Sequence, residues 1–239
     1  MAPSARATYV AASRGVRAAA ERLHVIEKLE SSDRRWARHA RTLFAIHDVD
    51  DLSALDLPWW VYGAIERVEA LLAEREGKAR VFEYGSGAST IWLARRAGDV
   101  YSVEHHDGFS QLMATKVADL PHVSLRHVPA VSVPAGERPA TPSRRHGHRD
   151  LDFTDYVRTI DAVDGEFDLI VVDGRAREAC LVAAVPRLAP DGMVVFDNTN
   201  RRRYQGAIAA SGLCAERIRG AAPSLPYLTE TTLLTRPPA

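Results

Sequence analysis

The sequence predicts an α/β fold, a mostly parallel sheet covered by helices and preceded by a helical lead segment. Three observations predict it. From residue 79 onward, short apolar runs alternate with helix-forming stretches in a βαβ rhythm. The runs ARVFEY and FDLIVVDG are almost continuously apolar, the pattern of strands buried on both faces. With 239 residues, 46% hydrophobic and 26% charged, the chain can close one sizeable core and carry an appendage.

The elements follow in order. Between Ala11 and Ile46, Leu23, Ile26, Leu29, Trp36 and Leu43 recur at near-helical spacing. This predicts two helices parting near SSDRR, where Ser and Asp can cap. DVDDLSALDLPWW reads as a loop, and VYGAIERVEALLAER as an amphipathic helix. Trp59, Trp60 and Tyr62 are expected to pack the lead segment on the main domain, with contact to an aromatic ligand as the alternative. The division is a helical cap over residues 1–75 and a main domain over 76–239.

In the main domain, ARVFEY, DVYSVEH and HVSLRHVPA read as strands separated by the helices STIWLARRA and FSQLMATKVADL. Residues 132–150 interrupt the rhythm with Pro, Gly and mixed charge, which predicts a loop bordering the mouth of a site. FTDYVRTIDAV resumes as helix, FDLIVVDG as strand, REACLVAAVPRL as helix and GMVVFDN as strand. LCAERIRG follows, and LTETTLLTR alternates as a closing edge strand should.

Bulk properties exclude several classes. The formal net charge is zero, so no global field draws in nucleic acid. Cys180 and Cys214 are the only cysteines and form no CxxC, which disfavours a disulfide scaffold or cysteine-rich zinc site and fits a reducing cytoplasm. No apolar run reaches membrane-helix length, and Arg6, Arg14 and Arg17 interrupt any signal-peptide core.

The stretch VFEYGSGAST carries the first chemical signal. Gly85 and Gly87 follow a strand and precede a helix beginning near Ser89 and Thr90, so backbone N–H groups can face a ligand. No GK[ST] follows, which disfavours a P-loop, and Thr90 stands where the third glycine of a dinucleotide fingerprint would fall. At the end of the next strand, Glu104 is placed to accept hydrogen bonds from a ribose diol. Glu83, just before the turn, would suit the amine of a zwitterionic tail and would be unhelpful beside a pyrophosphate. The two carboxylates together favour S-adenosylmethionine over NAD.

VFEYGSGAST, YSVEHH, FDLIVVDG and LAPDGMVVFDN, in that order, resemble the motifs of class I S-adenosylmethionine-dependent methyltransferases, over roughly Ala79 to Thr235. The resemblance implies a Rossmann-like methyltransferase sandwich with a seven-stranded, mostly parallel sheet, an antiparallel closing strand and an N-terminal helical cap. It implies that Glu83, Gly85, Ser86 and Gly87 border the methionine part, that Glu104 binds the ribose hydroxyls and that His105 lies beside the adenine. Ser89, Thr90 and Asp173 complete the expected cofactor set.

Asp173 ends one strand, and Asp197 with Asn198 ends another. In a parallel sheet such ends meet at the ligand crevice. Two carboxylates and an amide oxygen suit a hard cation such as Mg²⁺, while helix capping and an Asx turn are the plain structural alternatives. The three residues resemble the acidic corner of catechol-type and macrolide-sugar-type O-methyltransferases. That likeness implies a Mg²⁺ that orients substrate oxygens and lowers a hydroxyl pKa. One departure is evident: the catechol-type pattern has a lysine base where this chain has Ala176. Candidate bases are His146 and His148 in RRHGHRD, beside Asp173 as a further catalytic candidate.

Arg175, Arg177 and Arg201 to Arg203 flank the acidic strand ends, either as a solvated rim or as contacts to a substrate carboxylate or phosphate. The expected activity is methylation of a hydroxyl on a small molecule such as a hydroxylated secondary metabolite, assisted by Mg²⁺. Metal-free N- or O-methylation and a non-catalytic cofactor-binding role are the alternatives. The apolar lead helices allow a homodimer.

Overall fold

A computed structural model describes residues 19–32, 34–45, 49–145 and 147–238. The first part of the expected lead helices and His146 lie outside these residues. The strands among the described residues are β1 (Arg80–Tyr84), β2 (Asp99–Glu104), β3 (Val123–His127), β4 (Val131–Ser132), β5 (Leu151–Asp152), β6 (Phe167–Val172), β7 (Leu188–Asp197), β8 (Cys214–Gly220) and β9 (Thr229–Thr235). Seven of them form one sheet in the spatial order β3-β2-β1-β6-β7-β9-β8. Neighbouring strands pair in parallel except around β9, which is antiparallel to both β7 and β8. The chain winds outward from β1 to β3, then returns to place β6 on the other side of β1. Such a reversal opens a crevice at the carboxyl ends of the two central strands.

LTETTLLTR is the antiparallel closing strand, but it lies one place in from the edge. Thr231 to Leu234 are all buried, as a strand flanked on both sides requires. The edge goes to CAERIRG, whose Glu216, Arg217 and Arg219 keep an open strand border charged.

Side chains alternate across the sheet into two cores. Phe82, Tyr84, Ile170, Val172, Val194 and Phe196 face one layer of helices. Val81, Leu169, Val171 and Val195 face the other, where they meet Ala64, Val68 and Leu72 of the helix Tyr62–Glu74. That helix, expected within the lead segment, therefore shares its core with the sheet. Trp60 is fully buried and packs edge-on against Trp92 at 5.9 Å.

The lead segment contains helices at Val25–Glu30 and Arg35–Thr42, parted at the expected SSDRR break. The expected loop DVDDLSALDLPWW holds a further helix, Val49–Ala54. Its Leu52 is fully buried in a cluster with Ala88, Ile91 and Met113, so tertiary burial sustains a helix too short to stand alone. The buried Arg41 guanidinium clamps these helices, donating to Asp51 at 2.8 and 3.1 Å and to Glu30 at 2.7 Å.

Residues 132–150 are largely irregular, but their base is closed where β4 pairs antiparallel with β5 as a separate two-stranded ribbon.

Candidate functional site

The crevice is built first by backbone. β1 and β6 end side by side, with Asp173 N–H donating to Tyr84 O at 3.1 Å and Gly85 N–H to Val103 O at 2.9 Å. Gly85 has φ +95°, and a Cβ there would meet Gly174 Cα at 2.7 Å. A Cβ on Gly174 would meet Tyr156 Oη at 2.0 Å and Tyr84 O at 3.0 Å. Tyr156 is itself fully buried. The two glycines therefore let the strand ends approach closely. Gly174→Ala is expected to destabilise the protein by about 2–3 kcal/mol, read as a lower denaturant midpoint. Combining it with Tyr156→Phe, which removes the clashing oxygen, should recover part of the loss; strict additivity of the two changes would sink this explanation.

Above this seam lies a cavity of about 1170 Å³ lined by Gly85, Ser86, Gly87, Ser89, Glu104, His105, His148, Asp173, Asp197 and Asn198. Most of the expected site residues thus share one space. Glu83 and Thr90 do not line it. Glu83 is fully buried; its Oε1 accepts from Ser89 Oγ at 2.5 Å, and its Oε2 from Thr90 Oγ1 at 2.6 Å and Ser102 Oγ at 2.7 Å. Thr90 Oγ1 in turn accepts from Gly87 N–H at 2.9 Å. Glu83 therefore braces the glycine loop from beneath and has no face toward a ligand amine. Burial pushes its carboxyl up to about 7.

Glu104 organises the rim. Oε1 accepts the amides of His105 and His106, each at 2.8 Å, and Oε2 accepts Ser86 N–H at 3.2 Å and Ser86 Oγ at 3.3 Å. His105 Nδ1 lies 2.7 Å from Oε1. Burial opposes the charge of this carboxylate, but the His105 side chain and the two backbone amides outweigh it and hold its pKa below the usual value. His106 caps the following helix, its Nδ1 accepting from Phe109 N–H at 3.3 Å.

Asp173, Asp197 and Asn198 meet as expected at the strand ends, but both Asp197 carboxylate oxygens and one of Asp173 are engaged. Asp197 Oδ1 accepts from Thr231 Oγ1 at 2.6 Å and its Oδ2 accepts from the Asn198 side-chain amide. Arg177, also buried, donates to Asp173 Oδ1 and Asp173 O at 2.6 Å each and to Asp197 O at 2.6 Å. A guanidinium already supplies the positive charge that a cation would bring. No group of three or more His, Cys, Asp or Glu side chains among the described residues is arranged to hold a metal ion. The donor set does not fit the expected Mg²⁺ corner. Burial and the neighbouring Asp173 push Asp197 up to about 7. Ala176, at the position of the missing lysine, starts the helix Arg177–Ala184 in a left-handed conformation, φ 48°.

His148 lines the same cavity. Its ring lies 6.0 Å from His105 and 6.2 Å from Phe153, and its Nδ1 is buried without a partner. Burial, then the charges of Arg175 and its neighbours, hold its pKa below the ordinary histidine value, so the imidazole is neutral at pH 7.

Residues 82–199 match a family model described as a methyltransferase domain. That stretch of the chain is a methyltransferase domain. The chain is similar to a methyltransferase-like protein from Silicibacter pomeroyi at 24% identity, over 72% of this chain and 87% of that one, TM-score 0.45. It is similar to the N-methyltransferase NodS of Bradyrhizobium japonicum in complex with S-adenosylhomocysteine at 17% identity, over 81% and 99% of the two chains, TM-score 0.45. An rRNA methylase from Streptococcus thermophilus matches at 10% identity over 72% and 96%, TM-score 0.48. No curated protein matches the sequence. No helix among the described residues is long and apolar enough to cross a membrane.

The methyltransferase domain's cavity also has walls that no motif announced. Ser224, Leu225, Pro226 and Tyr227 close one side. They are tied to the lead helices, Ser224 N–H donating to Thr42 Oγ1 and Ser224 Oγ to Ala45 O, each at 3.1 Å. Phe109 and Asn200 complete the lining, together with Trp59, whose ring lies 3.7 Å from where a Gly87 Cβ would sit. The PSLPY stretch signals only a turn, so its place at the site depends on β8 and β9 returning the chain there.

Proposed function

We propose that this methyltransferase acts on a hydroxyl oxygen of a small molecule, with His148 taking the proton and without a metal ion. The observation that carries the reading is a neutral imidazole in the same cavity as the Glu104-organised glycine loop. S-adenosylmethionine, when bound, supplies a methyl on sulfonium sulfur; the acceptor oxygen bonds to that carbon as the S–C bond breaks, leaving S-adenosylhomocysteine and one proton to be removed.

Glu104 would hold the ribose diol. Its contact with Ser86 Oγ, at 3.3 Å, is its longest hydrogen bond and the one a ribose hydroxyl would replace. The backbone from Gly85 to Gly87 would border the methionine part, and the rings of Trp59, His105 and Phe109 offer faces for adenine. A neutral His148 can accept the acceptor's proton near pH 7. Asp173, paired with Arg177, and Asp197, held by Thr231 and Asn198, would shape the floor and carry no cation.

The test uses methyl transfer to a panel of phenols and polyols. Activity should survive chelation and gain nothing from added Mg²⁺, while His148→Ala should lower kcat by about 100-fold with S-adenosylhomocysteine affinity unchanged. Activity lost on chelation and restored by Mg²⁺ would instead support metal assistance at Asp173 and Asp197.

A further inference from the structure

Beside the main cavity, and sharing Arg145, Arg175 and Arg201 with it, lies a second pocket of about 400 Å³. Six arginines line it: Arg144, Arg145, Arg175, Arg177, Arg201 and Arg203. Two are matched by carboxylates, Arg177 by Asp173 at 2.6 Å and Arg144 by Glu178 at 3.5 Å. Among the described residues, no carboxylate lies within 4.0 Å of the nitrogens of the other four. The Nε atoms of Arg175 and Arg203 are buried and without a hydrogen-bond partner.

An accumulation of uncompensated guanidinium groups in one concavity is unfavourable by itself. Burial and the adjacent Arg145 and Arg177 lower the Arg175 pKa to about 10, which still leaves it charged at neutral pH. Forked donors without a carboxylate partner, on exposed Arg145 and Arg201 and partly buried Arg175 and Arg203, around a polar hollow are the complement of an anion with several acceptor oxygens. A carboxylate would compensate only one charge. A nucleic-acid backbone would need a basic track along the surface, whereas this pocket is a single recess on a chain of zero formal net charge.

We propose that this pocket binds a phosphate monoester group of the methyl acceptor, making the substrate a phosphorylated, hydroxylated small molecule. The inference rests on the methyl-transfer reading, because the shared wall joins the phosphate recess to the cavity that would hold the methyl donor. Arg203 lines only the recess, so it reports phosphate recognition apart from cofactor binding.

The test is calorimetric titration of the full chain with inorganic phosphate, acetate, dimethyl phosphate and, separately, S-adenosylhomocysteine. Phosphate should bind saturably, at least about tenfold tighter than acetate or dimethyl phosphate. Arg203→Gln and Arg145→Gln should each weaken phosphate binding about tenfold, consistent with loss of one charge-assisted contact. S-adenosylhomocysteine affinity should stay within about twofold in Arg203→Gln, and thermal melting should verify folding of both variants. Absence of phosphate binding, or equal binding by both variants, with S-adenosylhomocysteine still bound, overturns this inference alone. Acetate binding as tightly as phosphate overturns the monoester assignment, and dimethyl phosphate doing so redirects it to a nucleic-acid backbone. Failure to bind S-adenosylhomocysteine would instead overturn the methyl-transfer reading.

Discussion

Glu104→Ala is expected to weaken S-adenosylhomocysteine binding by at least about 100-fold, through loss of two charge-assisted hydrogen bonds of about 1.5–3 kcal/mol each. The carboxylate also collects the amides of Ser86, His105 and His106, and so shapes the rim before any ligand arrives. Ser86→Ala separates ligand binding from this bracing. It removes only the long hydroxyl contact and leaves Glu104 in place, so affinity should fall by less than about threefold. Calorimetry on both variants, with a thermal melt to verify folding, checks the expectation. Unchanged binding in Glu104→Ala would remove the ribose assignment.

The second large effect is a stability that falls as pH rises toward neutrality. Glu83 rises from 4.5 to about 7 in the folded protein, and Asp197 from 3.8 to about 7. For both, the folded chain keeps a proton that the unfolded chain has released. Unfolding therefore releases protons between about pH 4 and 7, and stability falls across that window and levels above it. Asp197 accounts for about 4 kcal/mol and Glu83 for about 3 kcal/mol, at 1.36 kcal/mol per pKa unit. Glu83→Gln removes one of them. Urea midpoints measured from pH 4.5 to 8 should show the variant gaining on the wild type by about that amount as pH rises. A constant difference across the range would count against a protonated Glu83.

Glu83 also shows where position along the chain stops being informative. In the sequence it is a carboxylate beside a glycine turn, and a ligand amine is a reasonable partner. In the fold, strand alternation turns it away from the Tyr84 face, toward Ser102 on β2 and the first turn of the following helix, and three hydroxyls use its oxygens. Glu104 differs because it ends its strand at the open border of the sheet. Asp173 and Asp197 were legible as neighbours, since parallel strand ends must meet. That Arg177 lies between them could not be seen, because an arginine four residues on reads equally well as a solvated rim. The Trp59–Trp60 pair divides similarly, one ring to the cavity and the other to the core.

The amino-acid sequence by itself determined the alternation of strands and helices, the position of the glycine turn, and the carboxylates at the ends of β2, β6 and β7. These depend on local periodicity and on the rule that parallel strands carry functional groups at their carboxyl ends. Only the tertiary structure decided which of those groups retain free valence. It placed β9 inside the sheet, brought Ser224 to Tyr227 over the cavity, spent the oxygens of Glu83 and Asp197 on internal donors, and gathered unpaired arginines into one recess. Hydrogen-bond capacity and charge compensation are settled by contacts distant in sequence, so no spacing along the chain could have revealed them.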